Sequence, residues 1–159
     1  MKVVKPTTLT AAMLVSTDAA ETYTAWNAAT AYALNDIVLR TTTERLYQRL
    51  VAGTTATAPE SDTVNWLDIA PSNKWAMFDG EISTATTKST SLTVVLKPGY
   101  VNSLALFGLV GSNLAVTVRD ALAGNIVYTL SQDLDGTIIA DWYQYFFEPV
   151  VQLAEVVLT

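Results

Sequence analysis

Carboxylates are the most numerous side chains of this sequence that could perform acid–base chemistry. The 159 residues include 15 Asp and Glu residues but neither His nor Cys. Without those two residue types, a Ser-His-Asp triad, a thiol nucleophile, a disulfide framework and a zinc–thiolate site are all excluded. The hydrolase class that this composition leaves most accessible is a glycosidase, which uses a pair of carboxylates.

Two pairs of neighbouring carboxylates fit that chemistry poorly. Asp79 and Glu81 lie beside a turn, and strand alternation would place both on the same face. Asp133 and Asp135 precede Gly136 in a loop that has some likeness to a calcium loop, but the further oxygen ligands at regular spacing are missing. We interpret all four as solvated loop residues. We therefore expect no enzyme activity, no catalytic residue, no metal site and no cofactor.

The most specific pattern of the sequence is a set of aromatic residues in its middle region. Trp26 is followed by the segment AYALNDIV at 31–38, then by Tyr47 and by Trp66. This order and spacing resemble the small chitin-binding-like carbohydrate module, whose pattern is a Trp, AYxxGDxV, a Tyr, a loop and a second Trp. Asn35 stands where that family usually has Gly, and Asn tolerates the left-handed backbone conformation better than most residues.

This resemblance covers residues 23–70 and implies a carbohydrate-binding role for the aromatic side chains. Sugar rings have apolar faces that stack on flat aromatic rings, and Tyr and Trp offer rigid contact area with one polar atom each. The resemblance makes Trp26, Tyr32, Tyr47 and Trp66 candidate glycan-stacking residues. Alternatively, these rings form the core of a domain too small to have another. We favour the core for Trp26 and leave both interpretations open for Tyr47 and Trp66.

Composition and residue patterns predict an all-β protein. Half of the residues are hydrophobic, and β-branched and aromatic residues dominate that set. Outside a turn-like segment at residues 8–15, no window shows the apolar stripe of a helix. Short apolar segments at a spacing of about 8–12 residues, separated by turn signals, favour a β-sandwich or a small barrel. The predicted strands are Asp36–Arg40, Arg45–Val51, Ser91–Leu96, Val101–Phe107, Asn113–Arg119, Asn125–Leu130 and Leu153–Leu158.

The sequence divides into three predicted parts. Residues 1–22 form an extended N-terminal arm, which we expect to be ordered only by a partner because it has little to bury. Residues 23–70 form the small aromatic-rich module. Residues 71–159 form an antiparallel β-sandwich.

Two features of residues 71–159 bear on how the predicted sandwich folds. Trp75, Phe78 and the aromatic run at 142–147 hold most of its large apolar side chains, and we predict that they are mostly core. The strand Leu153–Leu158 is followed only by Thr159. Because an unpaired apolar edge pairs readily with other chains, we expect the sandwich to be incomplete there and its last strand to be completed by further protein.

A second resemblance covers nearly the whole chain. The segments that carry it are Asn27–Tyr32, Thr54–Asp62, Asn65–Asp68, Asn73–Gly80, Pro98–Phe107 and Asp141–Pro149. Their order is similar to that of a family of tailed-bacteriophage virion proteins, in which a carbohydrate-module-like segment precedes a β-sandwich. Members of that family are found among tail and baseplate structural proteins. The resemblance therefore implies a structural role in the particle and supplies no catalytic residues.

These observations together predict a non-enzymatic structural protein of a phage tail or baseplate. It would reside in the virion and dock onto other tail proteins and onto copies of itself. A formal net charge of −6 disfavours nucleic acid and anionic lipid, and no apolar segment approaches the roughly 20 residues of a membrane span. The alternative is a carbohydrate-binding module that recognises a host cell-surface glycan. Ring exposure distinguishes the two, since stacking needs a solvent-facing aromatic strip.

Overall fold

Short β-strands make up most of the regular structure in the computed structural model, which describes residues 6–137, 141–147, 149 and 151–158. The all-β prediction is confirmed at this level, with one short α-helix added. The strands and helix are β1 (Leu14–Thr17), β2 (Ile37–Arg40), β3 (Arg45–Arg49), β4 (Trp66–Pro71), β5 (Val94–Leu96), β6 (Leu104–Leu106), β7 (Asn113–Arg119), β8 (Ile126–Asp133), α1 (Trp142–Phe147) and β9 (Val156–Leu158). Within the described ranges, no helix is long and apolar enough to cross a lipid bilayer.

The chain folds as two compact units that meet in sequence at Leu96. The first unit spans residues 8–96, and the second contains the described residues from Lys97 onward. The first unit includes β1, because this strand from the predicted N-terminal arm pairs antiparallel with β5, Leu14 opposite Leu96. The expectation that the arm is ordered only by a partner is therefore wrong for residues 14–17, while residues 1–5 lie outside the described residues.

A three-stranded antiparallel sheet, β2-β3-β4, forms the centre of the first unit. The predicted hairpin is confirmed, since a short loop at residues 41–44 joins β2 to β3. Alternation places Tyr47 and Arg49 on one face of β3, and the register sets Val38 opposite Tyr47 and Trp66 opposite Arg49. One face of the sheet therefore gathers the largest side chains of residues 23–70.

The second unit contains two two-stranded antiparallel sheets, β6-β9 and β7-β8. In the first of these, Leu104 lies opposite Leu158 and Leu106 opposite Val156. We expected the last strand to be completed by another protein. That expectation is wrong for one edge of β9, because β6 of the same chain pairs with it. In the β7-β8 ribbon, β7 spans the same residues as predicted, and β8 runs three residues further than predicted.

The aromatic run at 142–147 is exposed, which corrects the prediction that it is mostly core. It forms α1, and the exposed fractions of Trp142, Tyr143 and Phe147 are 79%, 72% and 70%. Five of the six helix residues are aromatic, and their rings contact each other. The ring centres of Tyr143 and Phe147, for example, are 4.9 Å apart. Trp75 and Phe78 lie in the first unit and are half-buried.

Glu44, the last residue of the β2–β3 loop, lies where ionisation of its carboxyl group is disfavoured. Its φ of 54° is in the left-handed region. Its backbone oxygen accepts a hydrogen bond of 2.8 Å from the Ser72 N–H. Burial, and then the negative charge of Glu21, raise the pKa of the Glu44 carboxyl above its ordinary value.

We expect Glu44→Gln to be more stable than the native chain at pH 7. An acid whose pKa is raised by folding stabilises the fold below its unfolded pKa, and that contribution is lost as the pH rises through the folded pKa. The advantage of Gln should therefore shrink toward pH 4. Urea unfolding across this pH range measures it. Glu60→Gln is the matched control. We expect it to be less stable than the native chain at pH 7, because hydrogen bonds from Arg40 lower the pKa of Glu60. An equal effect of Glu44→Gln at every pH would contradict the explanation.

Candidate functional site

The four candidate glycan-stacking residues come together in one cluster. Val38, Tyr47 and Trp66 form its buried centre, and Trp26 and Tyr32 pack against them half-buried. We call these five residues the aromatic cluster. Two backbone contacts bring in the segment before β2: the Trp26 N–H donates to the Leu39 oxygen at 2.8 Å, and Tyr32 forms a bridge with Gly53.

The two central rings are covered by the rest of the first unit. The exposed fraction is 5% for Tyr47 and 2% for Trp66. The Tyr32 ring meets Trp66 edge-on, with ring centres 5.2 Å apart. Neither Tyr47 nor Trp66 therefore offers an open face on which a sugar ring could stack, and the two do not form a solvent-facing strip.

Trp26 is half-buried, and a guanidinium group lies over its ring. The Arg40 Cζ atom is 4.9 Å from the ring centre, in cation–π geometry. Glu60 holds Arg40 in place by accepting two hydrogen bonds, from Nε at 2.8 Å and from Nη2 at 2.6 Å. A sugar could reach this face of Trp26 only after Arg40 had moved and its pair with Glu60 had broken.

The remaining polar groups of the motif close turns within the chain. The Tyr32 hydroxyl accepts a hydrogen bond from the Asn27 N–H at 2.8 Å and donates to the Asn27 oxygen at 3.2 Å. Asn35 has a φ of 70°, which confirms that it adopts the left-handed conformation where the resembled family has Gly. Asp36 accepts from the Ala33 N–H at 2.7 Å, as expected for a residue that fixes a turn.

Arg49 is a component of the site that sequence reasoning did not single out. Its exposed fraction is 2%, and its Cζ atom lies 4.8 Å from the centre of the Trp66 ring. The Nη2 group donates to the Gly53 oxygen at 3.2 Å. The available signal was alternation, because Arg49 shares a strand face with the apolar position of Tyr47.

The carboxylates considered for catalysis take part in loop hydrogen bonds. Asp79 accepts from the Glu81 N–H at 2.8 Å and from the Thr84 hydroxyl. Asp133 accepts from the Asp135 N–H at 2.9 Å, and Asp135 accepts from the Thr137 N–H, which lowers the pKa of Asp135. In the part of the chain that the structure describes, no three acidic side chains are grouped closely enough to hold a metal ion.

No family model matches this chain, and neither the curated proteins nor the solved structures contain a significant match. Its function is therefore inferred from its own geometry together with the two resemblances of its sequence.

We expect Trp66→Ala to lower the free energy of unfolding by about 3–5 kcal/mol, because it removes a large ring from the centre of the aromatic cluster. Chemical denaturation followed by circular dichroism measures the change. Tyr100→Ala is the matched control, since its ring is 95% exposed and should affect stability little. An unchanged unfolding midpoint for Trp66→Ala would show that the ring does not support the fold.

Proposed function

We propose that this chain is a non-enzymatic structural protein of a phage tail or baseplate, located in the virion. In this proposal residues 23–70 form a chitin-binding-like module that is used as a building block. The strands that follow contribute to an antiparallel β-sandwich, and neighbouring tail proteins and further copies of the chain supply its missing layer. The observation that carries the proposal is the uncovered apolar surface of the second unit.

The second unit buries little apolar surface within itself. Among its described residues, the hydrophobic side chains that are fully buried are Leu134 and Val156. Two-stranded sheets are at best marginally stable alone, and a small domain needs a core to fold. The rings of α1 and the exposed Phe107, Val110 and Ile126 add further apolar surface in contact with solvent. Contact with other subunits would remove this surface from water.

The β7-β8 ribbon has the pattern of one layer of a sandwich. Val116 lies opposite Leu130, and Val118 lies opposite Tyr128, so apolar side chains share one face. The other face carries Thr117 opposite Thr129 and Ala115 opposite Ser131, with Arg119 opposite Ile126 at its end. The apolar face is covered only partly, since 39% of Val118 and 43% of Tyr128 are exposed. Sheets of this kind pack against a second apolar layer about 10 Å away.

The aromatic cluster favours this proposal over the carbohydrate-binding alternative. Glycan stacking requires flat rings that are open to solvent, whereas Tyr47 and Trp66 are buried and Arg40 lies over Trp26. The spacing of these residues is then explained by folding, because each ring contributes to the only cluster of buried aromatic residues among the described residues 23–70. Recognition of a host glycan would need a different surface.

Self-association of the isolated chain tests the proposal. We expect sedimentation velocity to show concentration-dependent oligomers, because the apolar face of the ribbon is the surface that copies can share. The double variant Val118→Ser/Tyr128→Ser should require at least about tenfold more protein to associate. The control Thr117→Ser/Thr129→Ser alters the polar face and should associate like the native chain. A monomer at every concentration, with residues 113–133 strongly protected from hydrogen exchange, would contradict the proposal.

We also expect no hydrolysis of chitin or of bacterial polysaccharides. The composition lacks His and Cys, and the carboxyl groups of Asp79 and Asp133 are used in turns. A reducing-end assay after prolonged incubation measures this directly. Turnover that disappears in Asp79→Asn or Glu81→Gln would instead establish an enzyme.

A further inference from the structure

Both outer edges of the β2-β3-β4 sheet are protected against the addition of another strand. The outer side of β2 is occupied by the segment before it, since the Trp26 N–H donates to the Leu39 oxygen at 2.8 Å. On β4, the Trp66 N–H donates to the Asp62 oxygen at 3.0 Å, and Pro71 has no N–H to offer. Natural proteins use such devices to keep a sheet edge from pairing with other chains.

The β7-β8 ribbon lacks these devices, although its strands are the two longest of the described residues. β7 has seven residues and β8 has eight, and the one charged side chain of each stands at its last position, Arg119 and Asp133 respectively. Neither strand contains Pro or Lys, and the irregularity of their register lies at the hairpin end, beside Arg119. A long edge without internal charges is a template for pairing with another strand.

Alternation of the ladder shows which backbone groups of β8 face outward. The Leu134 N–H donates to the Ser112 oxygen at 2.9 Å, and these two residues continue the β7-β8 register by one step. Hydrogen-bonded and non-hydrogen-bonded pairs alternate along an antiparallel ladder. Thr129, Ser131 and Asp133 therefore direct their N–H and C=O groups away from β7, and all three residues are exposed.

Of the two outer edges of the ribbon, that of β8 belongs to the strand with more open apolar surface. Val127 and Tyr128 are 62% and 43% exposed, whereas the most exposed large apolar side chain of β7 is Val118, at 39%. Just before β7, the Gly111 oxygen is already bound by the Gln152 side-chain amide at 3.1 Å. Pairing along β8 would therefore cover more apolar surface than pairing along β7.

We propose that the outer edge of β8 pairs antiparallel with β8 of a second copy of the chain, about a two-fold axis between the two Ser131 residues. This register sets Thr129 opposite Asp133 of the second copy, so every outward position finds a partner and each facing pair exchanges two hydrogen bonds. The pairing deepens the proposed structural role and rests on it, because that role requires copies of the chain to associate.

A second copy fits this edge in charge and in pattern. Antiparallel pairing places the two Asp133 carboxylates at opposite ends of the contact, so no like charges face each other. Because the register preserves alternation, Tyr128 and Leu130 of both copies lie on one face of a four-stranded sheet. A two-stranded ribbon is marginally stable alone, whereas three or more strands with an apolar face form a stable layer.

Single cysteines test the pairing directly, because the native chain has none. Ser131→Cys lies at the proposed axis, where facing Cα atoms are about 5.5 Å apart, within the reach of a disulfide. Ala115→Cys is the matched control, since Ala115 lies opposite Ser131 on β7 and the two copies would hold it about 14 Å apart. With oxidised glutathione, we expect the Ser131→Cys chain to form disulfide dimers at least about tenfold faster than the control.

The outcomes separate this pairing from the docking role on which it rests. Faster dimers of the Ala115→Cys chain would overturn the β8 contact in favour of the β7 edge. Equal rates in chains that self-associate by sedimentation velocity would overturn edge pairing and leave the docking role in place. A native chain that stays monomeric at every concentration would overturn both.

A charge at the axis gives a second measurement without cross-linking. Ser131→Lys would set two ammonium groups opposite each other, so association should require at least about tenfold more protein. Ala115→Lys, at an exposed position away from the axis, should associate like the native chain. Sedimentation velocity measures both. Unchanged association of the Ser131→Lys chain would contradict the proposed pairing.

Discussion

Burial of the Trp66 ring is the constraint on which the first unit depends. The ring begins β4, meets Tyr32 edge-on and lies beneath the Arg49 guanidinium. A Trp side chain buries roughly 150–250 Å², a large share of the core available to a sheet of three short strands without disulfides. Tyr32, from the segment before β2, and Arg49, at the end of β3, both contact this ring. The aromatic spacing of residues 23–70 is thus a requirement of folding before it is a candidate binding motif.

The second unit places the same residue types on its surface. In the first unit a sheet face collects rings from several segments, whereas α1 presents five aromatic residues around a single short helix. These rings spread over more than half of the helix circumference, and all five are mostly exposed. Exposed apolar area on this scale marks interaction surfaces in soluble proteins. In the proposed structural role, the first unit supplies stability and the second supplies the surface for assembly.

Local patterns in the sequence predicted the elements that local interactions determine. The β2–β3 hairpin, the left-handed Asn35 and the strand Asn113–Arg119 follow from turn residues and alternation. The pairing of β1 with β5 could not be predicted, because it depends on the register between distant segments. The helix at 142–147 also escaped prediction, since aromatic residues favour strands only where a pleated surface covers them. Alternation placed Arg49 on the strand face of Tyr47, but its burial was not predicted because a charged residue in a strand normally faces solvent.

Five of the seven Lys and Arg residues in the described part of this acidic chain take part in contacts within the chain. Arg40, Arg45 and Lys88 form ion pairs with Glu60, Asp68 and Asp18, each at 2.6 Å. Arg49 is buried, and Arg119 donates to the Gly124 oxygen in its own hairpin loop. The charge left on the surface is therefore mainly negative, and copies of the chain repel one another at long range. Physiological salt screens this repulsion beyond about 8 Å. In the proposed assembly, apolar contact of the ribbon and α1 acts at shorter distances and supplies the attraction between subunits.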